Sequence, residues 1–251
     1  MSELRRKLTA EFTGTAFLLA AVIGSGIMAE QLTDDVALQL LANAFATVGV
    51  LAALVLALGP ASGAHFNPAV TLADRVFGGI DTRTAVGYVV AQITGGIVGV
   101  IAANVMFDLD PIGWSTKERA AGSLVFADGI ATLGLLLVIF GVVRSGKPTL
   151  AAFSVGGYIA GAYFFTSSTS FANPAVTIAR TFSDTFAGIE PASAPAFVAA
   201  QLIAVAVGVV LIKTIYPDIA DVADQVVVPQ HHEHAAATVG QADPVNSASK
   251  S

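Results

Sequence analysis

Long apolar segments separated by short polar connections dominate the pattern of hydrophobic and polar positions. A helix needs about 20 mostly apolar residues to cross the ~30 Å hydrocarbon core of a bilayer. Six segments approach or exceed that length, and they lie at residues 8–29, 36–58, 84–107, 124–143, 149–169 and 194–216. We therefore expect an all-α membrane protein with six transmembrane helices.

Two shorter apolar segments remain between these candidate spans, at residues 67–77 and 173–183. Each corresponds to ~16 Å of helix, which is about half of the hydrocarbon core. Each begins with Asn-Pro-Ala, and the heptapeptides NPAVTLA and NPAVTIA differ at a single position. We expect two re-entrant half-helices that enter the membrane without crossing it.

The two half-helices belong to a longer internal repeat, which aligns Glu11 with Asp128. The matched segments are AEFTGTAFLL with ADGIATLGLL, and YVVAQITGGIVG with FVAAQLIAVAVG. Each half, at about residues 8–107 and 124–216, holds three candidate spans and one half-helix. Because three is an odd number, the second half must enter from the opposite face. This predicts an inverted repeat whose broken helices meet around a central path.

The basic residues set the predicted orientation, because Lys and Arg concentrate on the cytoplasmic side of a membrane. The cluster at residues 5–7 and most other basic residues fall on the side that holds both termini. The basic residues on the opposite side are Lys117, Arg119 and Arg180. We expect a multi-pass protein of the cell (inner) membrane with both termini in the cytoplasm.

Residues 218–251 differ from the rest, being acidic and rich in Ala, Ser and Gln without an apolar period. This composition predicts a disordered cytoplasmic tail after a channel domain at residues 1–217. The tract HHEH at residues 231–234 could bind a transition metal, but histidines are common in flexible tails. We assign no metal site and no cofactor.

Composition agrees with a membrane protein: 55% of the residues are hydrophobic and 12% are charged, with a mean hydropathy of +0.74. An average soluble domain carries roughly 25% charged residues. The net charge of −6 and the scattered basic residues argue against nucleic-acid binding. The chain has no cysteine, which excludes disulfides and thiolate metal sites. No nucleophile–base arrangement stands out, so an enzyme is not expected.

The Asn-Pro-Ala segments are well suited to start a helix inside a membrane. Asn is a favourable N-cap, and Pro at the first helical position lacks the N–H that would be left unpaired. Each helix N-terminus carries about half an elementary positive charge. Two of them meeting near the bilayer centre would repel cations and orient neutral polar molecules. The residues concerned are Asn67, Pro68, Ala69, Asn173, Pro174 and Ala175.

Four motifs together resemble the aquaporin, or major intrinsic protein, family, and the match extends from about Glu11 to Tyr216. The motifs are AEFTGT, GAHFNPAVT, GYVVAQITGG and SFANPAVT. The resemblance implies six tilted helices and two half-helices that form one pore per subunit, with subunits assembled as homotetramers. It also implies a passive channel for small neutral solutes.

The resemblance assigns roles to several residues. Asn67 and Asn173 would be the central hydrogen-bond donors of the pore. Glu11 and Asp128 would be buried carboxylates that brace the re-entrant loops, although Asp128 is shorter than the Glu usual in the family. His65 would lie next to the pore.

The second motif departs from the family at its fourth position, where Val176 replaces the usual Arg of the narrowest constriction. Counting along the family pattern gives Thr47, Gly161 and Ser170 as the other constriction residues. Val48 takes the place of Thr47 if the second span shifts by one. This set contains no aromatic, imidazole or guanidinium group, so we expect a wide, neutral filter.

A wide filter indicates an aquaglyceroporin-like channel for glycerol, urea and the neutral hydroxides of trivalent arsenic and antimony. Branches of the family from bacterial arsenic-resistance clusters resemble this pattern, which suggests methylated arsenicals as further cargo. The alternatives are an ordinary water or glycerol channel without a metalloid role, and a secondary transporter.

Arg180 lies one helical turn beyond Val176 on the same face. Helix side chains lean toward the N-terminus, so its guanidinium could reach back to the constriction and restore a positive charge. The alternative is that Arg180 points outward and pairs with a loop.

Overall fold

The computed structural model describes residues 2–147 and 150–221. In these ranges the chain forms helices and connecting loops, with no strand. The helices are α1 (Glu3–Leu32), α2 (Val36–Ser62), α3 (Pro68–Phe77), α4 (Thr82–Met106), α5 (Gly122–Arg144), α6 (Ala151–Phe165), α7 (Pro174–Ala179) and α8 (Ala194–Ile215). A 3-10 turn, Arg180–Phe182, follows α7. The all-α fold class predicted from the sequence is confirmed.

Five helices, α1, α2, α4, α5 and α8, are long and apolar enough to cross a bilayer. The predicted fifth span, residues 149–169, is longer than the helix found there. α6 has 15 residues, or ~22 Å of helix, because the backbone becomes extended at Thr166. The following residues form the loop that leads into α7.

The half-helices match the predicted segments, with one difference. α3 extends over ten residues, whereas α7 has six and then tightens into the 3-10 turn. α3 packs against α8, and α7 packs against α4, so each half-helix contacts the opposite half of the repeat. This arrangement is the one expected of an inverted repeat.

Two glycines of α4 allow it to lie directly against α1. A Cβ atom on Gly95 would be 2.3 Å from the carbonyl oxygen of Phe12, and one on Gly99 would be 2.0 Å from that of Ala16. Both distances are far below van der Waals contact, and both neighbours are backbone atoms that cannot rotate away. The approach of these two helices therefore depends on glycine.

Gly99→Ala is expected to lower the free energy of unfolding by about 1–3 kcal/mol, because it forces α4 away from α1. Thermal unfolding of the detergent-solubilised protein measures the effect. Gly49→Ala is the matched control, since Gly49 is exposed on α2 and an added Cβ there meets nothing within 4 Å. Equal melting temperatures for the two variants would contradict this interpretation.

The folded part extends slightly beyond the predicted end of the channel domain. Asp218 pairs with Arg144 at the end of α5, with 2.8 Å between Nε and Oδ1. Ile219 is buried against the helices. Residues 218–221 therefore pack with the channel domain, and the rest of the predicted tail, including HHEH at residues 231–234, lies outside the described residues.

Candidate functional site

The two Asn-Pro-Ala segments start their half-helices in the same way. Asn67 Oδ1 accepts a hydrogen bond from the Ala69 N–H at 2.8 Å. Asn173 Oδ1 accepts from the N–H groups of Ala175 at 3.0 Å and Val176 at 3.3 Å. Both asparagines are thus N-caps, as predicted from the motif. The prolines at the first helical position are Pro68 and Pro174.

The asparagine amides also join the two halves of the repeat. Asn67 Nδ2 donates to the carbonyl of Ala172, and Asn173 Nδ2 donates to the carbonyl of Phe66, both at 2.8 Å. Phe66 and Ala172 have positive φ angles of 47° and 48°, an uncommon conformation for residues other than glycine. Each amide carries a second N–H. Both asparagines line one central cavity.

Glu11 holds the first re-entrant loop from behind. Its carboxylate accepts from the N–H groups of His65 at 3.0 Å and Phe66 at 2.7 Å. It also accepts from Ser62 Oγ at 2.6 Å and Gln92 Nε2 at 2.8 Å. Glu11 is fully buried, so these bonds replace hydration.

Asp128 makes the corresponding contacts to the second loop in spite of its shorter side chain. It accepts from the N–H groups of Phe171 at 2.9 Å and Ala172 at 3.2 Å. It also accepts from Ser168 Oγ at 3.2 Å and Gln201 Nε2 at 2.6 Å. The alignment of Glu11 with Asp128 in the repeat therefore identified two carboxylates with equivalent surroundings.

Two threonines complete these networks and were not singled out in the sequence. Gln92 donates to Thr71 Oγ1 at 3.0 Å, and Gln201 donates to Thr177 Oγ1 at 2.8 Å. Their signal is visible, because both are the Thr of the repeated NPAVT segment.

The central cavity runs past both asparagines and has a mostly apolar wall. Of the predicted constriction residues, Thr47, Ser170 and Val176 line it. Val48 does not. It is half-buried and packs against Gly156 of α6, so the alternative in which α2 shifts by one residue is wrong.

Gly161 does not line the cavity either, and its assignment to the constriction is wrong. The cavity face of α6 carries Val155, Ile159 and Tyr163, which follow each other at four-residue spacing. Gly161 lies two residues from Ile159 and from Tyr163, or about 200° around the helix. It is exposed on the outer surface.

Tyr163 brings an aromatic ring to the cavity that the sequence analysis did not expect. Its hydroxyl donates to Thr47 Oγ1 at 3.2 Å, so the ring lies beside a predicted constriction residue. The tyrosine is buried. The cavity wall beside Thr47 therefore contains an aromatic group.

Arg180 combines the two alternatives that the sequence left open. Its Nε donates to the carbonyl of Ala187 in the loop that precedes α8, and its guanidinium carbon lies 3.5 Å from the centroid of the Phe171 ring. The residue also lines the cavity and is only 3% exposed. The cavity wall that contains Val176 is consequently not electrically neutral.

Lys117 and Arg119 donate to carbonyls on either side of Ala187, in the loop that precedes α8. Lys117 Nζ donates to Phe186 O at 2.8 Å, and Arg119 Nε donates to Gly188 O at 3.1 Å. Burial lowers the pKa of Arg119, and burial together with the charge of Arg119 lowers the pKa of Lys117. Both residues belong to the loop between α4 and α5 and do not line the cavity.

His65 lines the cavity near α3, as predicted, but has an unexpected neighbour. Its Nδ1 lies 3.0 Å from Thr71 Oγ1, and its Nε2 lies 3.5 Å from Asp74 Oδ2. The ring also packs edge-on against Tyr88. Asp74 is a buried carboxylate of α3 that the repeat does not single out.

In residues 2–147 and 150–221, no three His, Asp or Glu side chains come together as metal ligands. The polar groups of the cavity are hydroxyls, amides, one imidazole and one guanidinium. They can exchange hydrogen bonds with a passing molecule.

Comparison with known proteins agrees with this arrangement. The family model described as "Major intrinsic protein" matches residues 1–170. Aquaglyceroporin AqpS of Rhizobium meliloti (strain 1021) is 46% identical over 211 residues, which cover 84% of this chain and 90% of that protein. Aquaporin-5 of Ovis aries is 33% identical over 193 residues, covering 68% of this chain and 69% of the relative.

A solved structure has the same fold. The X-ray structure of the aquaglyceroporin from Plasmodium falciparum superimposes with a TM-score of 0.66 and 22% identity, covering 86% of this chain and 98% of the other. The family match covers more than half of this chain, and the bacterial relative is matched along most of its length. The chain therefore belongs to the major intrinsic protein family, whose members are membrane channels and not enzymes.

Proposed function

We propose that this protein is a passive channel for small uncharged solutes larger than water. Glycerol and the neutral hydroxides of trivalent arsenic and antimony are the solutes that fit best, with methylated arsenicals as further candidates. The observation that carries the proposal is Val176 in the cavity wall directly after the second Asn-Pro-Ala segment.

The size and chemistry of Val176 support this proposal. Most family members carry Arg at this position, and its guanidinium extends farther than an isopropyl group and provides five N–H donors. Valine is shorter than arginine and forms no hydrogen bond with water. The hydroxyls of Thr47 and Ser170 provide polar contacts on the same cavity. The similarity to an aquaglyceroporin over most of the chain favours glycerol over water as the main cargo.

We also propose that the channel is a homotetramer in the cell (inner) membrane with both termini in the cytoplasm. The basic cluster at residues 5–7 and the even number of predicted spans support the orientation. Large apolar side chains remain exposed on the outer faces of the helices, where lipid or a neighbouring subunit would cover them.

Stopped-flow light scattering on proteoliposomes tests the solute range. Val176→Arg is expected to lower glycerol and arsenite flux at least tenfold while water flux changes less than threefold, because the guanidinium narrows the path. Val176→Ala is the matched control and is expected to retain solute flux. Flux should follow the solute gradient without a coupling ion.

Three outcomes would contradict parts of the proposal. Water flux alone in the wild type and both variants would make the protein an ordinary water channel. Glycerol flux without arsenite flux would remove the metalloid role. Flux that requires an ion gradient would indicate a secondary transporter.

A further inference from the structure

The position of Arg180 gives the cavity a positive charge that the second Asn-Pro-Ala segment itself lacks. Arg180 follows Val176 by four residues, which is about one helical turn, and both side chains line the same cavity. Arg180 is the first residue of the 3-10 turn after α7, and its backbone N–H donates to the carbonyl of Val176.

The guanidinium is held in a fixed orientation. Its Nε donates to Ala187 O, and its guanidinium carbon lies over the ring of Phe171, 3.5 Å from the ring centroid. Phe171 is itself fixed, since its N–H donates to Asp128. A charged group held on both sides in this way keeps its place as solutes pass.

The terminal nitrogens of Arg180 remain available to the cavity. A guanidinium has five N–H donors, and Nε uses one of them. Across residues 2–147 and 150–221, no protein acceptor is bonded to the terminal nitrogens, and none of the ion pairs in that part of the chain includes Arg180. Arg119 lies over the same ring at 5.2 Å, but it does not line the cavity.

Ser170 offers a second open group on the same cavity. It is 5% exposed, and its Oγ has no hydrogen-bond partner within the described part of the chain. A buried hydroxyl without a partner is uncommon in folded proteins, because leaving it unpaired is unfavourable. A water or solute oxygen in the cavity would satisfy it.

We propose that Arg180 is the charge-selective residue of the central cavity and that Ser170 is its partner in solute recognition. The guanidinium repels cations and donates to solute oxygens, while the Ser170 hydroxyl exchanges a hydrogen bond with the same solute. The pair suits a neutral molecule with neighbouring hydroxyl groups, such as a polyol or a metalloid hydroxide. The proposal rests on the channel function proposed above, but cation exclusion does not depend on which solute passes.

The experiment uses the full-length protein in proteoliposomes and records potassium leak, proton leak, water flux and glycerol flux. Arg180→Met keeps an unbranched apolar side chain and removes the guanidinium with its charge. We expect a cation leak at least tenfold above wild type with water flux within twofold. Arg180→Lys should retain exclusion, and Ser170→Ala should lower glycerol flux threefold or more relative to water.

Arg119→Met is the matched control, because it removes the same charge beside the same ring outside the cavity lining. Its cation leak should stay at the wild-type level. The double variant V176R/R180M should restore exclusion, since it returns a guanidinium to the cavity one turn earlier. If R180M does not fold, Arg180→Gln replaces it, because Gln retains an N–H for Ala187 O.

The proposal would be overturned if a folded R180M or R180Q channel with normal water flux leaked cations no faster than the wild type. Arg180 would then serve only to hold the loop through Ala187 O. Equal leaks in R180M and R119M would overturn it as well. Failure of the proposed solute range appears separately, as absent glycerol flux in the wild type.

Discussion

Replacing Glu11 with Ala is expected to destabilise the protein more than any other single truncation considered for this fold. The carboxylate is the common acceptor for Ser62, His65, Phe66 and Gln92. Each buried donor left without a partner costs about 1–3 kcal/mol. The two backbone donors alone correspond to about 2–6 kcal/mol, a large part of the ~5–15 kcal/mol that stabilises a typical domain.

Thermal unfolding in detergent and the yield of monodisperse protein measure this effect. Glu11→Gln retains one acceptor oxygen and should lie between Glu11→Ala and wild type. Glu3→Ala is the control on the same helix, since Glu3 pairs with Lys7 at the surface, where an ion pair contributes about 0–1 kcal/mol. A melting temperature for Glu11→Ala equal to that of Glu3→Ala would show that the loop does not depend on this carboxylate.

Replacing Asn67 with Asp is expected to make the pore permeable to monovalent cations. The two half-helix N-termini carry about half a positive charge each, or about one elementary charge together. A carboxylate at the N-cap would cancel that charge within the cavity while still accepting from the Ala69 N–H. It would also place an oxygen against the Ala172 carbonyl, to which the amide now donates.

Potassium and proton leak in proteoliposomes measure the result, and we expect at least a tenfold increase over wild type. The double variant N67D/N173D should leak more than either single variant, because it makes the net charge negative. Asn43→Asp is the control, since Asn43 is buried and donates to Val22 O at 2.8 Å but does not line the cavity. If N67D excluded cations as well as N43D does, the barrier would not lie at the asparagines.

Sequence alone predicted the features that the repeat duplicates. The two Asn-Pro-Ala caps and the carboxylates Glu11 and Asp128 each have a counterpart in the other half, and one copy supports the interpretation of the other. Most helix boundaries followed from apolar length, but α1 begins five residues earlier than predicted and α7 ends four residues earlier. The largest loss of predicted helix is in α6. That helix ends at Phe165, because the chain leaves it there to form the second re-entrant loop.

The constriction was predicted only in part, for a geometric reason. Counting residues along a family pattern works when both loop and helix lengths are conserved. In α6, an error of two residues in the count moves the predicted position from the cavity face to the outer surface of the helix. Ile159 and Tyr163 lie on the cavity face, and Gly161 lies on the outer surface. An alternating or charged pattern would have revealed the error, but α6 is apolar all round and gives no such signal.

The burial of two charged residues, Asp74 and Arg180, could not be predicted from the sequence for another reason. The sequence places Asp74 and Arg180 near the ends of apolar segments, where charges usually face solvent. Their burial depends on partners distant in sequence or in an irregular loop, such as the Ala187 carbonyl for Arg180. Contacts of this kind produce no repeating pattern of polar and apolar residues in the sequence.

The exchange of hydrogen bonds between the two asparagines also constrains how the channel is made. The bonds join Asn67 to Ala172 and Asn173 to Phe66, across 105 and 107 residues of chain. At a synthesis rate of roughly 5–20 residues per second, the first half-helix waits about 5–20 s for its partner. During that interval the Phe66 carbonyl lacks its donor, Asn173, and the Asn67 amide lacks its acceptor, the Ala172 carbonyl. The two bonds at the centre of the pore can therefore form only after Asn173 has been synthesised, when most of both halves has been inserted.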